Sequence, residues 1–232
     1  MRVKEEQVNP KRRRRRHLFF CIYITSKYPA KQDEEREARI KIFGLKGEQA
    51  VSRLAIFLAA GFEEIEALTV VDLCRRSGLE IDMVSITEER RVTGSHGICV
   101  EADTVFAEAA FEQYEMLILP GGMPGTKNLE AHGGLMEKLD TFFEAGKYIG
   151  AICAAPSVLG HRGILKGKKA CCYPGFEEQL EGAEVTGAPV EKDGKVITSR
   201  GMGTAIDFGL AIVETFCGKE QADSLAKSII YR

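Results

Sequence analysis

From Ser52 onward, short apolar runs alternate with amphipathic stretches, and turn residues separate them at regular intervals. Residues 53–58 are apolar and of buried-strand length, and Ala59-Ala60-Gly61 ends the run. Residues 63–77 predict a helix: Ile65, Leu68, Val71 and Leu73 fall near helical spacing, acids lead the first turn, and Arg75-Arg76 close the last before Gly78. Residues 80–86 predict a second strand, and 91–93 with 98–100 a small hairpin around Gly94 to Gly97. Residues 115–120 are a continuous apolar strand running into Gly121-Gly122, 135–145 a helix, and 148–152 another strand. A hairpin turns about 192–195, where Asp193-Gly194 supplies the positive φ of a tight turn. Helices at 204–216 and 219–227 follow, separated by Gly218.

Apolar strands alternating with amphipathic helices predict an α/β fold, a mostly parallel sheet covered by helices on both faces. Ligand sites in such sheets lie beyond the carboxyl ends of the strands. Three predicted strand ends carry chemistry-bearing residues: 61–66, 120–122 and Cys153.

Composition divides the chain in two. Across all 232 residues, 44% hydrophobic and 28% charged side chains are an ordinary globular balance. The net charge of −2, however, averages fourteen basic against seven acidic residues in 1–50 with eighteen against twenty-seven in 51–232. No apolar run approaches the ~18 residues a membrane helix needs, so no membrane association is expected.

In the first fifty residues, the basic run 11–16 precedes the apolar stretch 18–24, an order that mimics a signal peptide, but no small-x-small cleavage site follows promptly. The acidic segment 33–37 would repel phosphate, so a nucleic-acid arm and a nucleic-acid partner are not expected. High charge without apolar periodicity predicts disorder. A further reading is that 1–50 are a non-native extension: Lys46-Gly47-Glu48 can be encoded by a ribosome-binding-site consensus, and Val51, a possible GTG start, stands directly before the first strand. On that reading the folded domain is 51–232.

Seven cysteines, an odd number with no C-x-x-C pair, argue for a reducing, cytoplasmic setting and against a zinc site. Cys74, Cys99 and Cys217 sit in apolar patterns and are expected as small core residues. The vicinal pair Cys171-Cys172 is expected on a strand, one thiol to each face. Cys153 differs. It stands between the strand 148–152 and the helical run opened by Ala154-Ala155-Pro156-Ser157, where Pro156 suits a first helical turn. A thiol at a strand-to-helix turn meets unpaired backbone N–H groups and a helix N-terminus, which would lower its pKa. A buried structural cysteine is the alternative.

The segments 59–66 (AAGFEEIE), 119–122 (LPGG), 151–156 (AICAAP) and 198–204 (TSRGMGT) together resemble the ThiJ/PfpI superfamily, in the branch of the Parkinson-disease-associated protein deglycase and its bacterial relatives. The similarity covers about residues 52–230 in order and spacing. It implies a flavodoxin-like (class I glutamine amidotransferase-like) domain, a homodimer, and an oxidisable nucleophilic cysteine with no cofactor and no metal. By that resemblance Cys153 is the nucleophile, Glu66 its acidic partner, and the backbone N–H groups of Gly122 and Ala154 an oxyanion pocket. Two adjacent negative charges are costly, so Glu66 is expected to be protonated and to hydrogen-bond the sulfur. Glu63 and Glu64 are expected to be ordinary first-turn acids.

Three positions depart from the animal members. Tyr173 stands for a histidine near the thiol, His96 for an anion-binding arginine, and Met202 for a proline. His96, His132 and His161 are not placed near Cys153 by the sequence, which counts against a Cys-His dyad, and His132 and His161 are expected at the surface. The resemblance implies a glutathione-independent glyoxalase or deglycase acting on a small reactive aldehyde. The alternatives are an oxidative-stress sensor and a redox-regulated chaperone using Cys153.

Overall fold

The computed structural model describes residues 52–231. The N-terminal extension and the candidate start at Val51 lie outside the described residues.

The centre of the fold is a seven-stranded sheet built from β1 (Arg53–Leu58), β2 (Glu80–Ser85), β5 (Thr104–Val105), β6 (Tyr114–Leu119), β7 (Tyr148–Ile152), β10 (Val190–Asp193) and β11 (Val196–Ser199). Their spatial order is β10-β11-β7-β6-β1-β2-β5. Every pairing is parallel except β10 with β11, joined by the hairpin expected at Asp193-Gly194. The central strands read as unbroken apolar runs because both faces are covered: Leu54, Ala55, Ile56, Phe57 and Leu58 have no exposure at all.

One face is covered by α1 (Glu64–Ser77), α5 (Ala205–Cys217) and α6 (Lys219–Ser228), whose Val70, Leu73, Phe208, Ile212 and Leu225 pack on Ile56, Leu58, Met116 and Ile118. The other is covered by α3 (Gly133–Glu144) and α4 (Pro156–His161), with Leu135, Leu139, Phe142 and Leu159 against Phe57, Leu117 and Leu119. Each such side chain taken fully out of water favours the fold by ~1.5–3 kcal/mol. α1 and α5 approach closely because position 209 has no side chain; a Cβ there would lie 2.6 Å from Leu73 Cδ1. α1 ends as its sequence predicts, with Gly78 in the left-handed region (φ 87°) returning its N–H to the Arg75 and Cys74 carbonyls.

Several expectations shift. Ile65 faces outward, half exposed, and Ala67, Val70 and Cys74 supply the buried stripe of α1 with Leu73. A short helix α2 (Gly125–Ala131) follows Pro124, unannounced because glycine and proline crowd its start. His132 is half-buried and caps α3, its Nδ1 accepting the Leu135 N–H at 3.0 Å, whereas His161 is exposed and pairs with Glu130. Cys99 is exposed on β4 (Cys99–Glu101), which pairs only with β3 (Arg91–Thr93); a two-stranded ribbon has one covered face, and Cys99 points off it. Cys171 and Cys172 lie just past β8 (Lys169–Ala170), which pairs with β9 (Glu184–Val185), and both are buried.

Candidate active site

The chain leaves β1 toward β2 on one side and later returns to place β6 on the other, so the loops after β1 and β6 part above the sheet. Such a switch point opens a crevice at the carboxyl ends of the strands. Here it is a cleft of about 520 Å³, lined among others by Glu63, Glu66, His96, Gly122, Cys153, Tyr173, Arg200 and Met202.

Cys153 follows β7 directly and takes φ 66°, a left-handed backbone that L side chains rarely adopt. Two hydrogen bonds hold it there: its N–H donates to the Ser199 carbonyl at 2.9 Å, and its carbonyl accepts the Tyr173 N–H at 2.8 Å. The strained turn projects the half-buried thiol into the cleft, as a nucleophile elbow does.

Glu66 reaches the thiol from the first turn of α1. Its side chain is 1% exposed, and Oε2 accepts the Gly121 N–H at 2.9 Å. The approach requires glycine at 121: a Cβ there would lie 2.5 Å from Cys153 Cβ and 2.7 Å from Glu66 Oε2. Gly122 holds φ 93°, and a Cβ would strike Glu63 N at 2.4 Å. The N–H groups of Gly122 and Ala154 both draw the Cys153 thiol pKa down. Glu66, Gly122 and Cys153, expected from the sequence, therefore line one cleft, and the buried Ala154 follows the cysteine directly.

Their electrostatics differ from the expectation in one respect. Burial is the main force lifting the Glu66 carboxyl to about 7, against the hydrogen bonds from Cys153 and the Gly121 N–H, while the nearby Glu63 charge adds to the rise. Burial also pushes the Cys153 thiol up, to about 12, reinforced by the facing Glu66, and the Ala154 and Gly122 amides pull it down only in part. The lowered thiol pKa expected of a helix N-terminus is thus reversed, because α4 is six residues long and the half-buried sulfur faces a carboxyl. The pair behaves as one unit, holding a single proton between about pH 7 and about 12.

Around this pair lies a second group whose partnership the sequence does not show. Glu64 is 2% exposed, and its Oε1 accepts the backbone N–H of His96 at 2.8 Å and of Ile98 at 3.3 Å. Burial would raise this carboxyl, but the His96 imidazole and these N–H groups hold it down at about 2. His96 Nδ1 lies 2.9 Å from Glu64 Oε2 and 3.3 Å from Glu63 Oε2, and Ser95 Oγ donates to both carboxylates. The hydrogen bond to Glu64 and the charges of Glu63 and Glu64 raise the imidazole pKa. Glu64 is thus more than a first-turn acid, and His96 does line the cleft of Cys153. The one legible trace of this group is Ser95-His96 flanked by two glycines at a hairpin tip.

The loop after β11 completes the wall. Gly201 N–H donates to Thr204 Oγ1 at 3.1 Å, Thr204 Oγ1 and Ser199 Oγ lie 2.7 Å apart, and the Met202 amide reaches Glu66. Tyr173 and Met202, 51% and 57% exposed, form an apolar rim.

The DJ-1/PfpI family model matches residues 52–215, which include every element of this site. The chain belongs to the DJ-1/PfpI family. Among curated relatives, Protein DJ-1 homolog B of Arabidopsis thaliana is 36% identical over 188 residues, covering 79% of this chain and 42% of its own length. The chain thus spans less than half of that relative and of the similar Arabidopsis homolog A, at 45%. A Caenorhabditis elegans member of the family, named glutathione-independent glyoxalase DJR-1.2, is 34% identical over 168 residues, 72% of this chain and 89% of its own. Among solved structures, oxidised Toxoplasma gondii DJ-1 superposes with a TM-score of 0.75 at 36% identity, covering 78% of this chain and 98% of that one. The flavodoxin-like sheet is therefore the architecture of the family. No helix among the described residues is long and apolar enough to cross a membrane.

Proposed function

We propose that the protein is a glutathione-independent glyoxalase that uses Cys153 as nucleophile and converts methylglyoxal or glyoxal to the hydroxy acid. The observation that carries this reading is a strained, cleft-facing thiol hydrogen-bonded to a buried carboxyl, with two backbone N–H groups directed at the same sulfur. The relative named as a glyoxalase supports it.

In the reaction, the sulfur adds to the aldehyde carbon as the thiol proton passes to the Glu66 carboxylate. The S–C bond forms, the carbonyl π bond breaks, and the resulting oxygen anion is stabilised by the Gly122 and Ala154 N–H groups before it takes up a proton. Glu66, again a carboxylate, then removes the proton from the former aldehyde carbon and returns it to the neighbouring carbon, while the hydroxyl proton on the former aldehyde carbon moves to the neighbouring carbonyl oxygen. This internal redox exchange leaves a thioester of the hydroxy acid. Water hydrolyses the thioester and regenerates the thiol, so the sum is aldehyde plus water giving lactate or glycolate, with no external oxidant. Early glycation adducts, which release the same aldehydes, fall within this reaction class as the deglycase reading. The protein acts as a cytoplasmic homodimer on this proposal.

The direct test is lactate formation from methylglyoxal without glutathione. Turnover in the wild type and none in Cys153→Ala supports the reading; equal turnover in both overturns it. An oxidative-stress sensor is the second reading, favoured by the amide N–H groups on the sulfur, which would also hold a sulfinate. Loss of peroxide protection with Cys153→Ala, in a protein that does not turn over methylglyoxal, would select it.

A further inference from the structure

His96 sits at the mouth of the cleft, and the proposed chemistry gives it no task. It is fixed on two sides: its backbone N–H is held by Glu64 Oε1, and its Nδ1 lies between Glu64 Oε2 at 2.9 Å and Glu63 Oε2 at 3.3 Å. Glu63 is the N-cap of α1 and Glu66 lies in its first turn, and both line the cleft. A carboxylate at 63 therefore opposes a second negative charge at Glu66, and a cation beside Glu63 relieves that opposition.

We infer that His96 is a positioning residue for the Glu66–Cys153 pair: its imidazolium, clamped between Glu63 and Glu64, neutralises carboxylate charge next to Glu66 and so sets how readily the pair gives up its first proton. The inference deepens the glyoxalase reading, but its test does not need turnover. The Glu63 charge raises the Glu66 carboxyl, and the hydrogen bond to Glu64 together with the charges of both carboxylates raises the His96 imidazole, favouring its charged form.

The charged and polar groups around the pair come from several parts of the chain. From α1 come Glu63 and Glu64, from the hairpin tip Ser95 and His96, and from beyond the sheet Tyr173 and Arg200. Arg200 is left in place by substitution of His96 or Glu63. Glu64 keeps its backbone partners when the imidazole is removed, because the His96 and Ile98 N–H groups belong to the main chain. His96→Gln therefore removes the charge without unpinning the hairpin.

The experiment is the pH dependence of Cys153 alkylation by iodoacetamide on the full chain, read by mass spectrometry at that cysteine. The expected result is a pair of opposite movements. His96→Gln moves the first midpoint upward by about half a pH unit, and Glu63→Gln moves it downward by a similar amount. His96→Arg, which keeps a cation in place, leaves the midpoint at or below the wild-type value. Midpoints that stay fixed in both glutamine variants, or move in the same direction, overturn the inference. Circular dichroism confirms the fold of each variant; should His96→Gln fail to fold, Glu63→Gln and His96→Arg still carry the test. Absence of glyoxalase turnover would overturn the functional proposal and leave this result standing.

Discussion

Glu66 meets Cys153 with a carboxyl whose Oε2 is already held by the Gly121 N–H at 2.9 Å, so the side chain facing the sulfur is fixed in place before any ligand arrives. The same contact makes the two groups electrostatic rivals, and replacement of either changes the other. In Glu66→Gln the negative charge facing the thiol is gone. Cys153 should then ionise well below about 12 and alkylate faster at neutral pH, while methylglyoxal turnover falls ~10²–10⁴-fold for want of the proton carrier. Rates of alkylation and lactate formation moving together would contradict this.

The pair also fixes a pH profile. The productive form has lost one proton, so kcat/KM should rise through about pH 7 and stay high to the alkaline end of the accessible range. Initial rates between pH 5 and 9 measure it. A limb that survives unchanged in Glu66→Gln would assign the titration to another group.

Stability follows the opposite sense. Glu66 in the fold keeps its proton up to about 7, whereas an exposed glutamate loses it near 4.5. Between those values the folded chain binds more protons than the unfolded chain, so its stability declines as the pH rises across the window. Glu66→Gln lacks that slope. Its Tm relative to wild type should be higher at pH 8 than at pH 5, with ~3 kcal/mol as the upper bound of the difference.

Glu64 slopes the other way. Its carboxyl is held at about 2, below the ordinary 4.5, so the stability it lends is complete above the ordinary value and is lost as the pH falls toward about 2. Glu64→Gln should destabilise the fold at neutral pH by ~1–3 kcal/mol and flatten the acid limb of the Tm profile. Thermal melts of both proteins from pH 3 to 7 provide the comparison.

Gly121→Ala asks for space that is occupied. Its Cβ would lie 2.5 Å from Cys153 Cβ and 2.7 Å from Glu66 Oε2, so the thiol and carboxyl must separate. Turnover should fall at least ~100-fold, since a displacement of about 1 Å suffices for that. A folded variant with wild-type turnover would show that the two side chains need not touch.

The order of strands and helices could be read from the chain because strands buried on both faces must be apolar throughout and their covering helices must be amphipathic. Residues 53–58 and 148–152 carry that signal almost without interruption. The four residues of the thiol site were legible through their motifs, three of them on strand-end turns where glycine, alanine and cysteine stand out. The partnership of Glu64, Ser95 and His96 was not, because it joins α1 to a hairpin tip thirty-odd residues away, and the glycines flanking Ser95-His96 mark only the turn. The direction of the Cys153 shift also escaped. A turn announces N–H donors, but burial of the sulfur beside the Glu66 carboxyl is a property of the assembled cleft.

The left-handed backbone at Cys153 has one further consequence. Glycine is the natural occupant of φ 66°, and any side chain there works against the fold. A chain selected for folding alone would drift to glycine at this position and relax. Keeping a thiol there holds the molecule short of its own optimum, so variants that lose the sulfur can gain in robustness what they lose in chemistry. Screens that rank variants of this protein by thermal resilience will therefore favour those that have given up the site.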